Sequence, residues 1–305
     1  MALPYQWQYR LDRWKAALQR FFSSGNQQPR PKICPSCGSL VGINATRCHN
    51  CGTNLKFSMA AINRSLSGVF SGPAPVTTAL LVANLMMFGI EWMASTAEGR
   101  GGLSILGGMG GPATYRLGVS SPYGIYFAHQ WYRLITAMFL HGGLLHIGFN
   151  MYALMQLGPA LEELYGSARF FFLYIFTGAF GFLVSSFLGT TSLGASGGLL
   201  GIVGAMLAVT TKRGGAYMRQ LRSQLISSVV FLLVLGFLGM GIDNKAHLAG
   251  LASGFVLGKI FPDRQPMTVR ERQIANALGW LAGIAVIASF ALMILHYRDP
   301  LPGQD

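Results

Sequence analysis

The sequence predicts an all-α polytopic membrane protein that carries a small cysteine-containing module near its N-terminus. Of the 305 residues, 51% are hydrophobic and only 11% are charged, whereas soluble domains carry about 25% charged residues. The 40 glycines and the mean hydropathy of +0.42 are typical of membrane helices, in which glycine is commoner than in soluble ones. All four cysteines fall within residues 34–51, so they form one module.

Residues 1–32 are predicted to be a basic amphipathic N-terminal segment. This segment has no apolar core run, so it does not have the pattern of a cleavable signal peptide. Its large apolar side chains recur at helical spacing, at Trp7, Leu11, Trp14, Leu18 and Phe22. A helix resting on a membrane surface and a helix docked elsewhere both fit this pattern, and both interpretations stay open.

Residues 33–53 hold two paired cysteine motifs and predict a structural zinc site. The four cysteines that would bind it are Cys34, Cys37, Cys48 and Cys51. Four thiolates at this spacing complete a tetrahedral zinc shell, and the module resembles a small zinc ribbon. Two disulfides are the alternative, which a cytoplasmic location disfavours because thiols there stay reduced. The module's cytoplasmic partner is unknown, and residues 54–75 are predicted to link it to the rest of the chain.

Seven apolar segments predict membrane spans, and the basic residues predict their orientation. The segments are 76–94, 143–160, 170–188, 196–211, 223–240, 247–261 and 274–295. With the N-terminus in the cytoplasm, all but five of the 23 lysines and arginines fall on the inner side, as the positive-inside rule requires. We therefore expect an integral protein of a bacterial inner membrane, with its C-terminus outside. The net charge of +13 follows from this topology, and no nucleic-acid partner is expected.

The first outer loop, at about 95–142, is predicted to lie partly in the membrane interface. Glycine is abundant in its first part, and aromatic residues follow at Tyr123, Tyr126, Phe127, Trp131 and Tyr132. Aromatic rings favour the headgroup level, which a purely solvated loop would not require.

Polar side chains open three of the apolar segments. His146 and Asn150 share one helix face in segment 143–160. Ser196, in the Gly194–Gly198 run, opens segment 196–211, and His247 opens segment 247–261. A charged residue follows each of His146, Ser196 and His247 after sixteen positions, which is about 24 Å of helix. The hydrocarbon core is about 30 Å thick, so the three should lie at one recessed level.

A serine beside a histidine predicts a nucleophile and its general base. Small residues on both helices allow the close approach this pairing needs, at Gly197, Gly201, Gly204, Gly250 and Gly254. The free N–H groups where the serine's helix begins, together with His146 and Asn150, suit a developing oxyanion.

These motifs together resemble the rhomboid intramembrane serine proteases. The matching residues are Trp131-Tyr-Arg133, His141, His146-x-x-x-Asn150, Gly194-Ala-Ser196-Gly197 and Ala246-His247-x-x-Gly250-x-x-x-Gly254. The resemblance implies a six-helix protease core over 76–262, with a seventh helix and tail over 263–305. It implies Ser196 as nucleophile, His247 as base, and an oxyanion site of His146, Asn150 and the Ser196 N–H. Its substrates would be transmembrane proteins cleaved within the lipid bilayer, without a catalytic cofactor.

Further positions complete or depart from the family pattern. Glu162 and Gly166 match it at the inner end of the second span, where a structural role is expected. Many members place an aromatic residue four positions after the nucleophile, against the histidine, whereas this chain has Leu200. His141 is interpreted either as positioning water or as bracing the loop.

Two other classes of function compete with the protease. One is a catalytically inactive rhomboid-like protein that binds or chaperones membrane proteins, which the intact serine and histidine disfavour. The other is a transporter or channel with a polar proton path. The lack of an acidic residue in the middle of the spans disfavours it, since Glu91 lies near the outer end of the first.

Overall fold

The structure, a computed structural model, forms two units, Met1–Gly68 and Val69–Asp305. It describes residues 32–33, 39–42, 45–50, 74–100, 105, 110–239, 241–299 and 301. The predicted amphipathic segment, except Lys32, and almost all of the predicted linker lie outside these ranges.

The first unit contains a short antiparallel hairpin. Its strands are β1 (Lys32–Ile33) and β2 (Leu40–Val41), with Lys32 opposite Val41. Val41 and Cys48 are buried together, and Ala45 packs against them. The described part of this unit therefore has a very small apolar core, of the size that usually needs a staple such as a metal ion.

The regular secondary structure described in the second unit is helical, apart from one isolated β-bridge between Ser120 and Ser192. Its helices are α1 (Pro75–Ala97), α2 (Pro112–Arg116), α3 (Arg133–Thr136), α4 (Leu144–Tyr165), α5 (Ser167–Phe187), α6 (Ser196–Lys212), α7 (Ala216–Phe237), α8 (Asn244–Ile260) and α9 (Val269–Leu295). A π-helical turn, Tyr123–Phe127, and a 3₁₀ turn, Ala137–Phe139, shape the first outer loop. Each of the seven apolar segments lies on one of the long helices, which confirms the all-α class.

The seven long helices differ in whether they are long enough to cross a membrane. Within the described ranges, α1, α5, α7 and α9 are long and apolar enough to cross a membrane. A fifth span is possible if α4 is joined to the segment Arg133–Phe139, from which it is bent by 93°. Helices α6 and α8 have 17 residues each, about 25 Å of rise, and so are shorter than the hydrocarbon core. A polytopic helical membrane protein is thus confirmed, while the count of seven spans stays a prediction.

Helices α5, α6 and α8 pack against one another, and the contact of α6 with α8 is made of backbone. A side-chain carbon on Gly250 would collide with the carbonyl oxygen of Gly197, and one on Gly254 with that of Gly201. Further along, a carbon on Gly258 would lie 2.8 Å from Ala205 Cα. Such close approach between glycine-lined faces maximises van der Waals contact in a lipid environment, where the hydrophobic effect does not hold helices together.

One buried arginine organises the first outer loop. Arg133 is 2% exposed, and its Nη1 donates to the carbonyls of Tyr115 at 2.7 Å and Val119 at 3.1 Å. Its Nε donates to Gln130 Oε1 at 2.6 Å, and the guanidinium lies 4.1 Å from the Tyr115 ring centre. Arg133 therefore ties together the segments that lead into α4. On the same loop, the rings of Tyr123, Phe127 and Trp131 are exposed.

A buried carboxylate holds the start of α1. Glu162, 2% exposed on α4, accepts the N–H groups of Val76 at 2.9 Å and Thr77 at 2.8 Å. It also accepts the hydroxyls of Thr77 at 2.8 Å and Ser167 at 2.7 Å. A negative charge at a helix N-terminus satisfies the free N–H groups and interacts favourably with the helix dipole. Glu162 thus joins the ends of α1, α4 and α5.

Candidate active site

Ser196 is the first residue of α6, and a glycine turn presents it. Gly194 adopts φ +124°, a conformation that only glycine takes at low cost. Its N–H donates to the Ala137 carbonyl at 2.9 Å, which ties the turn to the 3₁₀ segment of the outer loop. Ser196 is half-buried, and it is the first residue of the helix rather than a residue in its interior.

His247 lies one turn into α8 and meets the serine. Its Nε2 is 2.7 Å from Ser196 Oγ, and the residue is 3% exposed. The contact between Gly250 and Gly197 brings the two helices close enough for this bond. In the neutral ring, a bond from the serine hydroxyl to Nε2 leaves Nε2 as the acceptor that a general base requires.

No carboxylate completes a triad among the described residues. His247 Nδ1 is buried without a hydrogen-bond partner there. Asp243 lies four residues earlier, but its carboxylate accepts the N–H groups of Lys245 and Ala246, both at 3.1 Å, and the Ser185 hydroxyl. Asp243 therefore acts as the N-cap of α8 and sets the position of His247 through the helix.

His146 faces the same small space as the serine. A side-chain carbon placed on Gly194 would lie 2.7 Å from His146 Nε2 and 3.8 Å from Ser196 Oγ. His146 Nδ1 accepts the N–H of Gly142 at 3.3 Å. In a neutral imidazole with Nδ1 as acceptor, the hydrogen is on Nε2. The network thus assigns Nε2 of His146 as a donor directed toward the space beside Ser196 Oγ.

Asn150 lies one turn after His146 on the same helix. It is 6% exposed, and its Nδ2 donates to the His146 carbonyl at 2.9 Å. That bond uses one of the two amide hydrogens and fixes which end of the amide is the donor. The second hydrogen remains for another acceptor.

The start of α6 supplies backbone donors. No side chain caps this helix at Ala195, and the first N–H groups of any helix lack intrahelical acceptors. The positive end of the helix dipole lies there too. Ser196 therefore presents a hydroxyl beside a base and beside N–H groups suited to a developing negative charge.

Glu91 is a residue near the site that sequence reasoning did not connect with it. It is fully buried, and its carboxylate accepts the His141 N–H at 2.9 Å and the Thr114 hydroxyl at 3.0 Å. The His141 ring packs edge-on against that of His146, with centroids 5.1 Å apart. Glu91 thus braces the turn that carries His141 into α4. A carboxylate inside an apolar span was the signal that could have identified it.

Leu200 lies in an apolar cluster between α6 and α7. It is 5% exposed and packs with Val203 of its own helix and with Leu225 and Val229 of α7. No aromatic ring stacks on His247 within the described residues. The helix contact with α6, rather than a stacked ring, therefore positions the imidazole.

Of the predicted zinc ligands, the structure describes only Cys48. It is 3% exposed, and its Sγ accepts the N–H of Asn50 at 3.4 Å. The other three, Cys34, Cys37 and Cys51, lie outside the described residues. Within the described ranges no three metal-binding side chains cluster, so the zinc site stays a prediction. The buried Sγ with a backbone N–H donor suits a thiolate ligand.

The fold and this site define a helical membrane protein with a paired serine and histidine. Residues 128–264 match the rhomboid domain family. The chain is 38% identical to rhomboid protease GluP of Bacillus subtilis over 41% of its own length and 25% of that protein. It is 37% identical to RHOMBOID-like protein 1 of Arabidopsis thaliana over 44% of its length and 35% of that protein.

A second Bacillus subtilis protein, the putative rhomboid protease YdcA, is matched along most of its length. It is 33% identical to the chain over 47% of the chain and 70% of YdcA. The chain therefore belongs to the rhomboid family. It nevertheless spans well under half the length of GluP and of RHOMBOID-like protein 1.

Proposed function

We propose that this protein is an intramembrane serine endopeptidase that cleaves transmembrane segments of other proteins. The observation that carries the proposal is the 2.7 Å contact between Ser196 Oγ and His247 Nε2, which pairs a nucleophile with a base inside a helical membrane domain. Relatives named as rhomboid proteases support the same activity.

The reaction follows from the groups in place. Ser196 Oγ attacks the carbonyl carbon of the scissile bond while its proton passes to His247 Nε2. The carbonyl oxygen gains negative charge and accepts hydrogen bonds from His146 Nε2–H, Asn150 Nδ2 and the Ser196 N–H. When the C–N bond breaks, His247 returns the proton to the leaving amine, and water then hydrolyses the acyl ester with His247 again as base.

A replacement of the nucleophile tests the proposal. Ser196→Ala should abolish cleavage of a reconstituted membrane substrate and labelling by a fluorophosphonate probe, with the same thermal unfolding as the unaltered protein. Ser228→Ala is the matched control, since that exposed hydroxyl bonds only to the Gln224 carbonyl of its own helix, and it should retain full activity. Cleavage by purified Ser196→Ala protein would exclude the serine mechanism.

Probe labelling also separates the protease from an inactive membrane-protein binder. A binder would interact with membrane proteins but would not react with the probe at Ser196. Membrane proteomics of cells with and without Ser196→Ala would then identify the substrates, whose cleaved forms should disappear in the variant.

Seven spans with the N-terminus in the cytoplasm and the C-terminus outside complete the proposed topology. The distribution of lysine and arginine supports it, and it places the site near the outer face. Because α6 begins at Ser196 and α8 at Asn244, two short helices leave the site recessed with access for water. The bacterial inner membrane stays a prediction, since relatives come from a bacterium and a plant alike.

We also propose one structural zinc ion in the cysteine module, held by Cys34, Cys37, Cys48 and Cys51. The β1–β2 hairpin ahead of the buried Cys48 supports it. Elemental analysis of the purified protein should find about one zinc per chain, and Cys48→Ser should remove it. A protein that purifies without zinc and with its cysteines in disulfides would contradict the assignment.

A further inference from the structure

Two adjoining cavities lie at the end of the molecule opposite Ser196, where α1, α5 and α9 begin. One has a volume of about 410 Å³, and its lining includes Arg169, Arg272 and other polar side chains. The other, of about 290 Å³, is lined mainly by apolar groups, among them Phe171 and Trp280. Ser167, Ala168 and Asn276 line both, so one groove runs from a basic end to an apolar end.

The basic end holds two arginines, neither of which forms a direct ion pair within the described residues. Arg169 is 4% exposed, and its Nη1 donates to the Arg264 carbonyl at 3.2 Å. Arg272 Nε donates to the Pro266 carbonyl at 3.4 Å. Across the described residues, neither guanidinium forms an ion pair with a carboxylate. A buried guanidinium that bonds only to a carbonyl retains its charge and most of its donors.

The neighbouring carboxylates are occupied elsewhere. Glu271 pairs with Arg264 at 2.8 Å, and Asp263 pairs with Arg213 at 2.7 Å, whose hydrogen bond lowers the pKa of that carboxyl. Glu162 is engaged by the start of α1. Glu271 also attracts Arg169, but with Arg264 and Arg272 nearby the groove end keeps an excess of positive charge, to which the first N–H groups of α5 add.

The apolar end is open because small residues line the contact of α5 with α9. A side-chain carbon on Gly279 would lie 3.0 Å from Ala168 Cβ, so the helices approach there without a side chain filling the groove. Val76 and Phe171 also line this end. Trp280 is 73% exposed beside it, eleven residues into α9 and about 16 Å along the helix from its start. This length matches an acyl chain that enters from the headgroup level.

We propose that this groove binds an anionic phospholipid, with its phosphodiester between Arg169 and Arg272 and an acyl chain along α5 and α9. Guanidinium forks match phosphate oxygens in geometry and charge, and basic pockets between membrane helices are suited to anionic headgroups. The apolar continuation distinguishes a lipid from free phosphate, which would use only the basic end. The lipid would contact α1 and α5 of the protease core together with α9, the helix that follows that core.

Lipid binding to the full-length Ser196→Ala protein tests the site without any dependence on proteolysis. The protein is titrated with phosphatidylglycerol or phosphatidylcholine in detergent, and bound lipid is counted by native mass spectrometry. Phosphatidylglycerol should bind in preference, and Arg272→Gln should weaken it about fivefold, the contribution of one arginine near an anionic headgroup. Arg270→Gln, an exposed arginine on the same helix that does not line either cavity, should leave it unchanged.

Two further arms separate the lipid from its phosphate. Trp280→Ala should weaken phosphatidylglycerol binding, whereas Leu281→Ala, also exposed on α9 and outside both cavities, should not. Inorganic phosphate at millimolar concentration should not displace the lipid. Equal losses for Arg272→Gln and Arg270→Gln, equal binding of the two lipids, or full displacement by phosphate would each overturn the proposal.

Discussion

The N-termini of α1 and α6 are built from the same backbone groups and are used in opposite ways. At α1, the N–H groups of Val76 and Thr77 are filled by the carboxylate of Glu162, which is buried with them. At α6, no side chain caps the helix, and the first residue is the serine that contacts His247. The carboxyl group of Glu162 occupies one helix start, and the other is left for a negative charge that exists only during the proposed reaction.

This difference shows how one physical property supports both stability and chemistry. A filled helix N-terminus gains charge-assisted hydrogen bonds in the ground state, which stabilise the fold. An unfilled one forgoes them, and its donors contribute only when an oxyanion forms, so they lower the activation barrier. We therefore expect changes near Ser196 to alter rate more than stability, and changes at Glu162 to do the reverse.

After loss of the nucleophile itself, the largest effect is expected from removing an oxyanion donor. His146→Ala and Asn150→Ala should each lower kcat by about 100- to 1,000-fold, with little change in KM. Asn84→Ala is the matched control, because Asn84 is also buried and donates to the carbonyl four residues earlier, that of Leu80, at 2.7 Å. It should cost stability without lowering the kcat of the folded fraction. Equal kcat losses in Asn84→Ala and Asn150→Ala would contradict an oxyanion role.

An intermediate effect on both rate and stability is expected where α6 meets α8. Gly250→Ala places a carbon against the Gly197 carbonyl, so it should separate Ser196 from His247 and destabilise the fold by about 1–3 kcal/mol, the cost of overpacking. Thermal unfolding and substrate cleavage measure the two losses. Gly148→Ala on α4 has open space around it and should change neither. Full activity in Gly250→Ala would show that the close helix contact does not set the site.

A stability effect alone is expected at the filled helix start. Glu162→Gln keeps the shape of the side chain but removes its charge, which should cost about 1–3 kcal/mol in denaturant or thermal unfolding. The rate per folded molecule should stay the same because Glu162 lies at the end of α4 away from His146. The neighbouring Glu163→Gln, at an exposed position, serves as control. A selective loss of rate in Glu162→Gln would break the proposed division between the two helix ends.

Much of the architecture was predictable because membrane helices are encoded locally. The seven apolar segments lie on α1 and α4–α9, since an apolar run in lipid must form a helix to satisfy its own backbone. Length was less predictable. Helices α6 and α8 stop at 17 residues, and whether so short a helix crosses depends on its protein neighbours rather than on its own hydropathy.

The candidate site was predictable as a set of residues and less so as a geometry. Serine, histidine and asparagine inside apolar segments are expensive unless they function, which indicated Ser196, His247, His146 and Asn150. The contacts that hold these side chains in place could not be identified from the cost of polar groups in lipid. Glu91 reaches the His141 N–H from fifty residues earlier in the chain, and Asp243 is shared between Ser185 and the start of α8.

The sequence by itself determined the helical membrane class, the polar residues at three helix starts and the small residues that let two helices touch. These properties follow from the cost of polar groups in lipid and from side-chain size, which are local. Only the tertiary structure decided the 2.7 Å contact of Ser196 with His247, the filling of one helix start by Glu162 and the emptiness of another. These features depend on groups far apart in the chain, and whether such groups meet is set by how whole helices pack.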